Sequence, residues 1–172
     1  MFLARPIDER NTIYVNRTFP TKRTPVQRFR HRVILGVGGN VGDTKRLMQH
    51  LWVYFGRFPL IERVQSGIIL KNPPFGYSEQ ADFYNTIIEI STSLQPQELL
   101  RLLWRIEKRF GRIRSFPNAP RTLDLDIIFF DHRKIESKEL TVPHESWKER
   151  PSVLIPLRSL VGHKGQKIRR QL

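Results

Sequence analysis

Apolar positions along this chain change their period several times, and the changes mark out its elements. Val33-Ile34-Leu35-Gly36-Val37 is a short continuous apolar run closed by Gly38-Gly39-Asn40, the pattern of a buried strand entering a turn. Asp43 or Thr44 then offers a capping oxygen for a helix from about Lys45, in which Leu47, Leu51 and Tyr54 or Phe55 return at helical spacing. Residues 61–70 read as a second strand. Asn72-Pro73-Pro74-Phe75-Gly76 must end it, because paired prolines remove N–H donors and hold the backbone extended. Residues 83–90 form a third strand. Pro96 suits the first turn of a second helix, where Leu99, Leu102 or Leu103, Ile106 and Phe110 make an apolar face that Gly111 terminates. Residues 123–130 follow a loop as a fourth strand. The order strand, helix, two strands, helix, strand predicts an α+β fold: a ferredoxin-like split βαβ sandwich, a mainly antiparallel sheet with helices packed on it.

The two ends differ from this pattern. Residues 1–32 hold three prolines and one strand-like run, Thr12-Ile13-Tyr14-Val15, and read as a basic N-terminal extension packed on or beside the domain. Residues 33–160 are the domain, and residues 161–172 a basic C-terminal tail. Of the net charge of +14, residues 1–32 carry +6 and residues 158–172 carry +5, so the stretch between them is only mildly basic. That distribution suits small anionic ligands better than a nucleic-acid surface. With 172 residues the chain buries a core of its own, and without cysteine it forms no disulfide, thiolate metal site or cysteine nucleophile. No apolar run approaches the length of a signal-peptide core or a membrane span. A cytoplasmic monomer with no membrane or nucleic-acid partner is expected.

The chemistry concentrates between Gly111 and Phe130. Asp124 and Asp126 stand two apart in the fourth strand and so project from one face. Two like charges that close call for a cation, and hard carboxylate oxygens beside phosphates favour magnesium. Arg112, Arg114 and Arg121 flank them and have the bidentate geometry to grip phosphate oxygens. Carboxylates and arginines beside a loop describe phosphoryl transfer. The plain alternative is a pair of water-facing acids neutralised by the same arginines. Leu123, Leu125, Ile127 and Ile128 argue against it, because they bury one face and leave the acids together on the other.

Five spaced motifs then resemble one family, the hydroxymethyldihydropterin pyrophosphokinases. They are Gly38-Gly39-Asn40-Val41-Gly42-Asp43; Pro73-Pro74-Phe75-Gly76 leading to Phe83-Tyr84-Asn85; Glu107 before Gly111-Arg112-Ile113-Arg114; Pro120-Arg121-Thr122-Leu123-Asp124-Leu125-Asp126; and Pro143-His144 before Arg150. The resemblance covers residues 33–157 in order. It implies transfer of the β,γ-diphosphate of ATP to the hydroxymethyl oxygen of 6-hydroxymethyl-7,8-dihydropterin, releasing AMP, on the route to folate. It also implies that Asp124 and Asp126 hold two magnesium ions and that Arg112 and Arg121 steady the phosphates. Glu107, Arg114, Ile127, His144 and Arg150 correspond to nucleotide-side contacts. Asn85, with Phe83 and the backbone near Pro74 and Gly76, corresponds to the pterin side.

Both aromatic residues that the family stacks on the pterin are missing. Asn118-Ala119 stands in place of tryptophan-glycine, and Ser152 in place of a phenylalanine. Phe116 or Trp147 is the expected replacement, with Tyr14 or Phe19 of the extension as a further source. Trp104 stands where a glutamine is common and Glu145 where an aromatic is. Taken alone, Gly38, Gly39 and Asn40 read equally well as turn residues, Asn85 as a strand residue facing water, His144 as a loop histidine and Glu107 as a solvated helix charge. Two other functions remain open at this point: an RNA-binding ferredoxin-like sheet, and a magnesium nucleotide-transfer enzyme with a different acceptor.

Overall fold

The computed structural model describes residues 1–24, 29–113 and 115–160. Three short strands open the chain: β1 (Leu3–Pro6), β2 (Thr12–Val15) and β3 (Thr21–Lys22). The predicted α+β core follows as β4 (His31–Gly39), α1 (Thr44–Arg57), β5 (Ile61–Ser66), β6 (Ile69–Asn72), β7 (Phe83–Thr92), α2 (Pro96–Arg109) and β8 (Asp124–Phe130). A small hairpin, β9 (Ile135–Glu136) and β10 (Thr141–Val142), and the helix α3 (Pro151–Arg158) complete it. All strand pairings are antiparallel, and the main sheet runs β1-β2-β6-β7-β4-β8, with β5 beside β7 and β3 beside β5.

Each face of the sheet has its own core. Val33, Leu35, Val37, Leu125 and Ile127 meet α1 and α2 through Leu51, Phe55, Leu99, Leu103 and Ile106. On the other face Ile34, Ile87, Ile128 and Phe129 meet Val153 and Leu157 of α3. α1 starts as expected, with Asp43 accepting from the Arg46 N–H at 3.1 Å. α2 carries a capping box between Gln95 and Glu98 in addition to its first-turn proline. No helix among the described residues is long and apolar enough to cross a membrane.

The predicted second strand is two strands, because the ladder with β7 breaks at Gly67. A Cβ there would lie 2.5 Å from the Pro156 carbonyl oxygen, so the break is where α3 presses its backbone onto the sheet. The first strand is longer than predicted. Gly38 and Gly39 pair with Asn85 and Tyr84 inside β4 and do not form a turn.

The N-terminal stretch departs most from a surface-packed extension. β2 extends the sheet beside β6, β3 pairs with β5, and Phe19 between them is fully buried against Trp52 with ring centroids 6.3 Å apart. Tyr14 lies edge-on to Tyr84 at 5.6 Å, with Lys45 over both rings. Both aromatics therefore sit on the helix-covered face, not beside the aspartates. Replacing Phe19 by alanine should cost about 3–5 kcal/mol of unfolding free energy, the range for deleting a core aromatic. Chemical denaturation checks this, and a loss below about 0.5 kcal/mol, the size of an ordinary surface change, would show that the segment is not part of the core.

Candidate active site

The site lies where β8, β4 and β7 converge on the face beyond the start of α3. Gly36 and Gly38 of β4 stand opposite Asp126 and Asp124 of β8, and Gly38 also stands opposite Asn85 of β7. A Cβ on Gly38 would come within 2.7 Å of Asn85 Oδ1 and 3.9 Å of the Asp124 Cβ. The middle strand thus withholds its side chains so that those of its neighbours can share one space.

That space has two chambers. The larger, about 830 Å³, is lined by Trp104, Glu107, Arg112, Phe116 and Ile127 among others. The smaller, about 60 Å³, is lined by Gly38, Phe83 and Asn85 among others. Arg121, Asp124, Asp126, His144 and Arg150 line both and form the boundary. Of the residues singled out from sequence, only Arg114 lies outside the described residues.

Asp124 is held on both oxygens. Arg112 Nη1 pairs with Oδ1, and Arg121 Nε stands 2.8 Å from Oδ2 as an ion pair lacking hydrogen-bond alignment. Arg121 also donates through Nη1 to the Ala119 oxygen at 3.2 Å, and its guanidinium lies 5.0 Å above the Phe83 ring. Glu107 is a buried acid and not a solvated helix charge. Its Oε1 accepts from Arg112 Nη1 at 2.5 Å and from the Leu125 N–H of the edge strand at 2.8 Å. Burial lowers the pKa of Arg112, but Asp124 and Glu107 outweigh it and the net shift is upward.

Three carboxylates here face two guanidiniums, and Asp126 bears the excess. Burial first, then the charges of Asp124 and Glu107, push its carboxyl up to about 7 against the pull of Arg121 and Arg112. A hard cation between the two acids would relieve that excess, so the donor set fits magnesium. No group of three acidic or histidine ligands occurs among the described residues, and such an ion must complete its shell with water and phosphate oxygens.

The far wall holds unpartnered polar atoms. His144 Nδ1 and Arg150 Nε are buried without a hydrogen-bond partner among the described residues. Burial, then the Arg150 charge, lower the His144 pKa, so the imidazole is neutral near pH 7. Arg150 also lies 5.1 Å over the exposed Phe75 ring. Asn72 Nδ2 donates to the Pro73 oxygen at 2.8 Å, so Asn72 Oδ1 is left to accept from Asn85 Nδ2 at 2.8 Å, which fixes the sense of the Asn85 amide. Sequence reasoning missed Asn72, treating it only as a strand breaker, since its role appears only through the β6–β7 register. Gly76 has φ +85°, and its missing Cβ would lie 3.1 Å from Asn118 Nδ2, so the loop carrying Pro74 and Gly76 abuts the loop before Arg121.

Of the expected replacements for the missing aromatics, Phe116 is half-exposed on the cleft and packs edge-on against Tyr77 at 5.7 Å. Trp147 is not available. It is buried in the α3 core against Phe129 at 4.9 Å, because the turn after Pro143 directs it beneath the sheet.

Fold and cleft together are those of a small α+β protein with a carboxylate–arginine cluster at the floor of an open cavity. A sequence profile described as 7,8-dihydro-6-hydroxymethylpterin-pyrophosphokinase matches residues 34–162. The chain is similar to the 2-amino-4-hydroxy-6-hydroxymethyldihydropteridine pyrophosphokinase of Helicobacter pylori, with 41% identity over 84% of this chain and 90% of the relative. It is likewise similar to the enzymes of that name from Campylobacter jejuni (35% identity, 83% and 90%) and Bacillus subtilis (38%, 72% and 74%). The chain belongs to the 7,8-dihydro-6-hydroxymethylpterin-pyrophosphokinase family. It is a pyrophosphokinase of folate biosynthesis, passing diphosphate from ATP to 6-hydroxymethyl-7,8-dihydropterin.

The charge excess at Asp126 has a measurable consequence. Its folded-state pKa lies above the unfolded value, so between about pH 4 and 7 the folded protein holds the proton more tightly, and stability from this group falls as pH rises through that window. Asp126→Asn should raise the melting temperature of the ligand-free protein at about pH 8 and lose that advantage near pH 4. Melting curves at both pH values check it, and equal midpoints at pH 8 would contradict the charge imbalance.

Proposed function

We propose that the reaction takes place at the boundary between the two chambers, with the triphosphate in the larger and the pterin alcohol reaching the boundary from the side of Phe83 and Asn85. The observation that carries this reading is that Asp124, Asp126 and Arg121 line both. Asp124 and Asp126 would hold two magnesium ions; bound there, these would neutralise phosphate oxygens and make the acceptor's hydroxyl proton easier to lose to water.

The chain's own residues do the rest by positioning. Arg112 and Arg121 pair with Asp124 at the chamber boundary and are thereby aimed at the space that phosphate oxygens would fill. Glu107 keeps Arg112 from swinging away. His144 Nδ1 and Arg150 Nε are poised to receive the nucleotide, with the Ile127 side of the strand completing that wall. On the other side Asn85, oriented by Asn72, offers its amide to the pterin ring beside Phe83; the Pro74–Gly76 backbone lines neither chamber and keeps its pterin role on the family resemblance alone. Phe116 lines the larger chamber, so it offers its ring face to the pterin only from across the boundary. The enzyme is further read as a cytoplasmic monomer working without a nucleic-acid or membrane partner.

Appearance of AMP from ATP on addition of the pterin alcohol is the direct assay. Asp124→Ala and Asp126→Ala should each reduce it to background while the circular dichroism stays native, and turnover in either variant would remove the paired-metal reading. Arg121→Ala should lower kcat by about 10²–10³, the cost of losing one preorganised electrostatic donor, with a much smaller change in the KM for ATP. An effect confined to KM would make Arg121 a ground-state contact only.

A further inference from the structure

A groove of about 630 Å³ lies between α1 and α2 and shares no residue with either chamber. α2 gives the active site Leu100, Trp104 and Glu107, and gives the groove another edge of the same helix. The groove floor is apolar: Tyr54 and Phe58 of α1, Leu102 and Ile106 of α2, and Leu60 and Leu94 of the segments that lead into β5 and α2. Tyr54 and Phe58 are half-buried, with ring centroids 5.7 Å apart, and Leu60 is exposed. An open apolar floor rimmed by charge is the pattern of an interaction surface.

The rim sets the sign of what fits. Arg101, Arg105 and Arg109 are exposed and follow one another at four-residue spacing along α2, so they form one row in steps of about 6 Å. Arg109 lies 5.5 Å over the Tyr54 ring. None of the three forms an ion pair among the described residues. The acid that lines the groove, Glu98, is turned to the N–H of Gln95 at 2.8 Å, where it closes the α2 capping box. A row of guanidiniums beside an apolar floor calls for carboxylates along one edge of the occupant and apolar side chains next to them. A helix offers both at the matching repeat: acids at i, i+4 and i+8 advance in the same steps of about 6 Å, and apolar residues three and four positions on make the adjoining face. The chain itself supplies no such occupant. Residues 161–172 carry four lysines or arginines and no acid, and two copies of a chain of net charge +14 repel each other. A row of fixed pitch also suits a structured partner better than an anionic lipid surface, which has no register.

We propose that the groove between α1 and α2 is a docking site for an acidic amphipathic helix of a partner protein, with its apolar face on Tyr54, Phe58 and Leu102 and its carboxylates on Arg101, Arg105 and Arg109. The groove follows residues 98–109 of α2 for about 17 Å, enough for three turns of a docked helix. Because none of its residues lines a chamber, the enzyme can hold this partner and still take up both substrates.

Fluorescence anisotropy of a labelled synthetic helix, titrated with the full chain, tests this. The probe is a peptide of about five turns with leucine on one face and glutamate at every fourth position of the adjoining edge; a second peptide has lysine for each glutamate. The acidic peptide should bind saturably and less tightly as salt rises, and the lysine peptide should not bind. Arg101→Glu/Arg105→Glu should weaken the acidic peptide by about tenfold or more while AMP formation is unchanged. Leu60→Ser, which removes an exposed apolar contact and no charge, should weaken the same peptide and stands in should the double variant fail to fold. Failure of the acidic peptide to bind, or equal affinity in the variants, would overturn the proposal. Without peptide binding, phosphatidylglycerol vesicles that bind the chain but not the double variant would assign the groove to a lipid surface. Self-association in sedimentation that the double variant abolishes would assign it to a second copy of the chain, and would equally overturn the partner helix.

Discussion

The cleft depends on the approach of three backbones across a strand without side chains. β4 presents Gly36 and Gly38 to the site face, and this absence lets Asn85 from one neighbour and Asp124 and Asp126 from the other reach the same volume. Gly39 serves the opposite contact: a Cβ there would lie 2.4 Å from the Thr122 carbonyl oxygen. The approach to β8 is therefore as tight above the strand as beside it. Asn85 and the two aspartates are adjacent because β7 and β8 flank one strand, an arrangement set by the antiparallel register and not by any loop.

Packing on the two faces lets this arrangement carry unfavourable charge. Asp124 and Asp126 alternate with Leu125 and Ile127, which are fixed under α1 and α2, so the acids cannot turn away from each other without exposing the core. Glu107 adds a third negative charge while tying α2 to the edge strand through Leu125. The result is a ligand-free site with more carboxylates than close guanidiniums, stable because of its surroundings and suited to bind a cation with a polyphosphate. Asp126 shows the cost in its raised pKa. Active sites commonly hold such a liability, which ligand binding then relieves.

Much of this was legible in the sequence. The split βαβ order followed from apolar periodicity, and the carboxylate pair from two-residue spacing inside an apolar strand. What escaped depended on contacts distant in sequence. The division of β5 from β6 at Gly67 requires knowing that α3 lies against it, and α3 has only eight residues, two of them proline, too short to announce itself by periodicity. Gly38 and Gly39 resemble a turn until their partners in β7 are known. The N-terminal stretch read as an extension on or beside the domain because its basic composition hides a single strand-like run, Thr12-Ile13-Tyr14-Val15, and one core phenylalanine at 19. Asn40 and Gln80 are forty positions apart, and only the structure discloses that they meet.

The central claim is that Asp124 and Asp126 make polyphosphate binding conditional on a divalent cation. Calorimetric titration of ATP into the protein, with magnesium and again in chelator, measures it most directly. The account predicts a defined binding isotherm with magnesium and loss of most of the affinity without it, because the triphosphate then meets two uncompensated carboxylates at close range. Equal affinity in the two conditions would contradict it, and would mean that Arg112, Arg121 and Arg150 hold the nucleotide unaided.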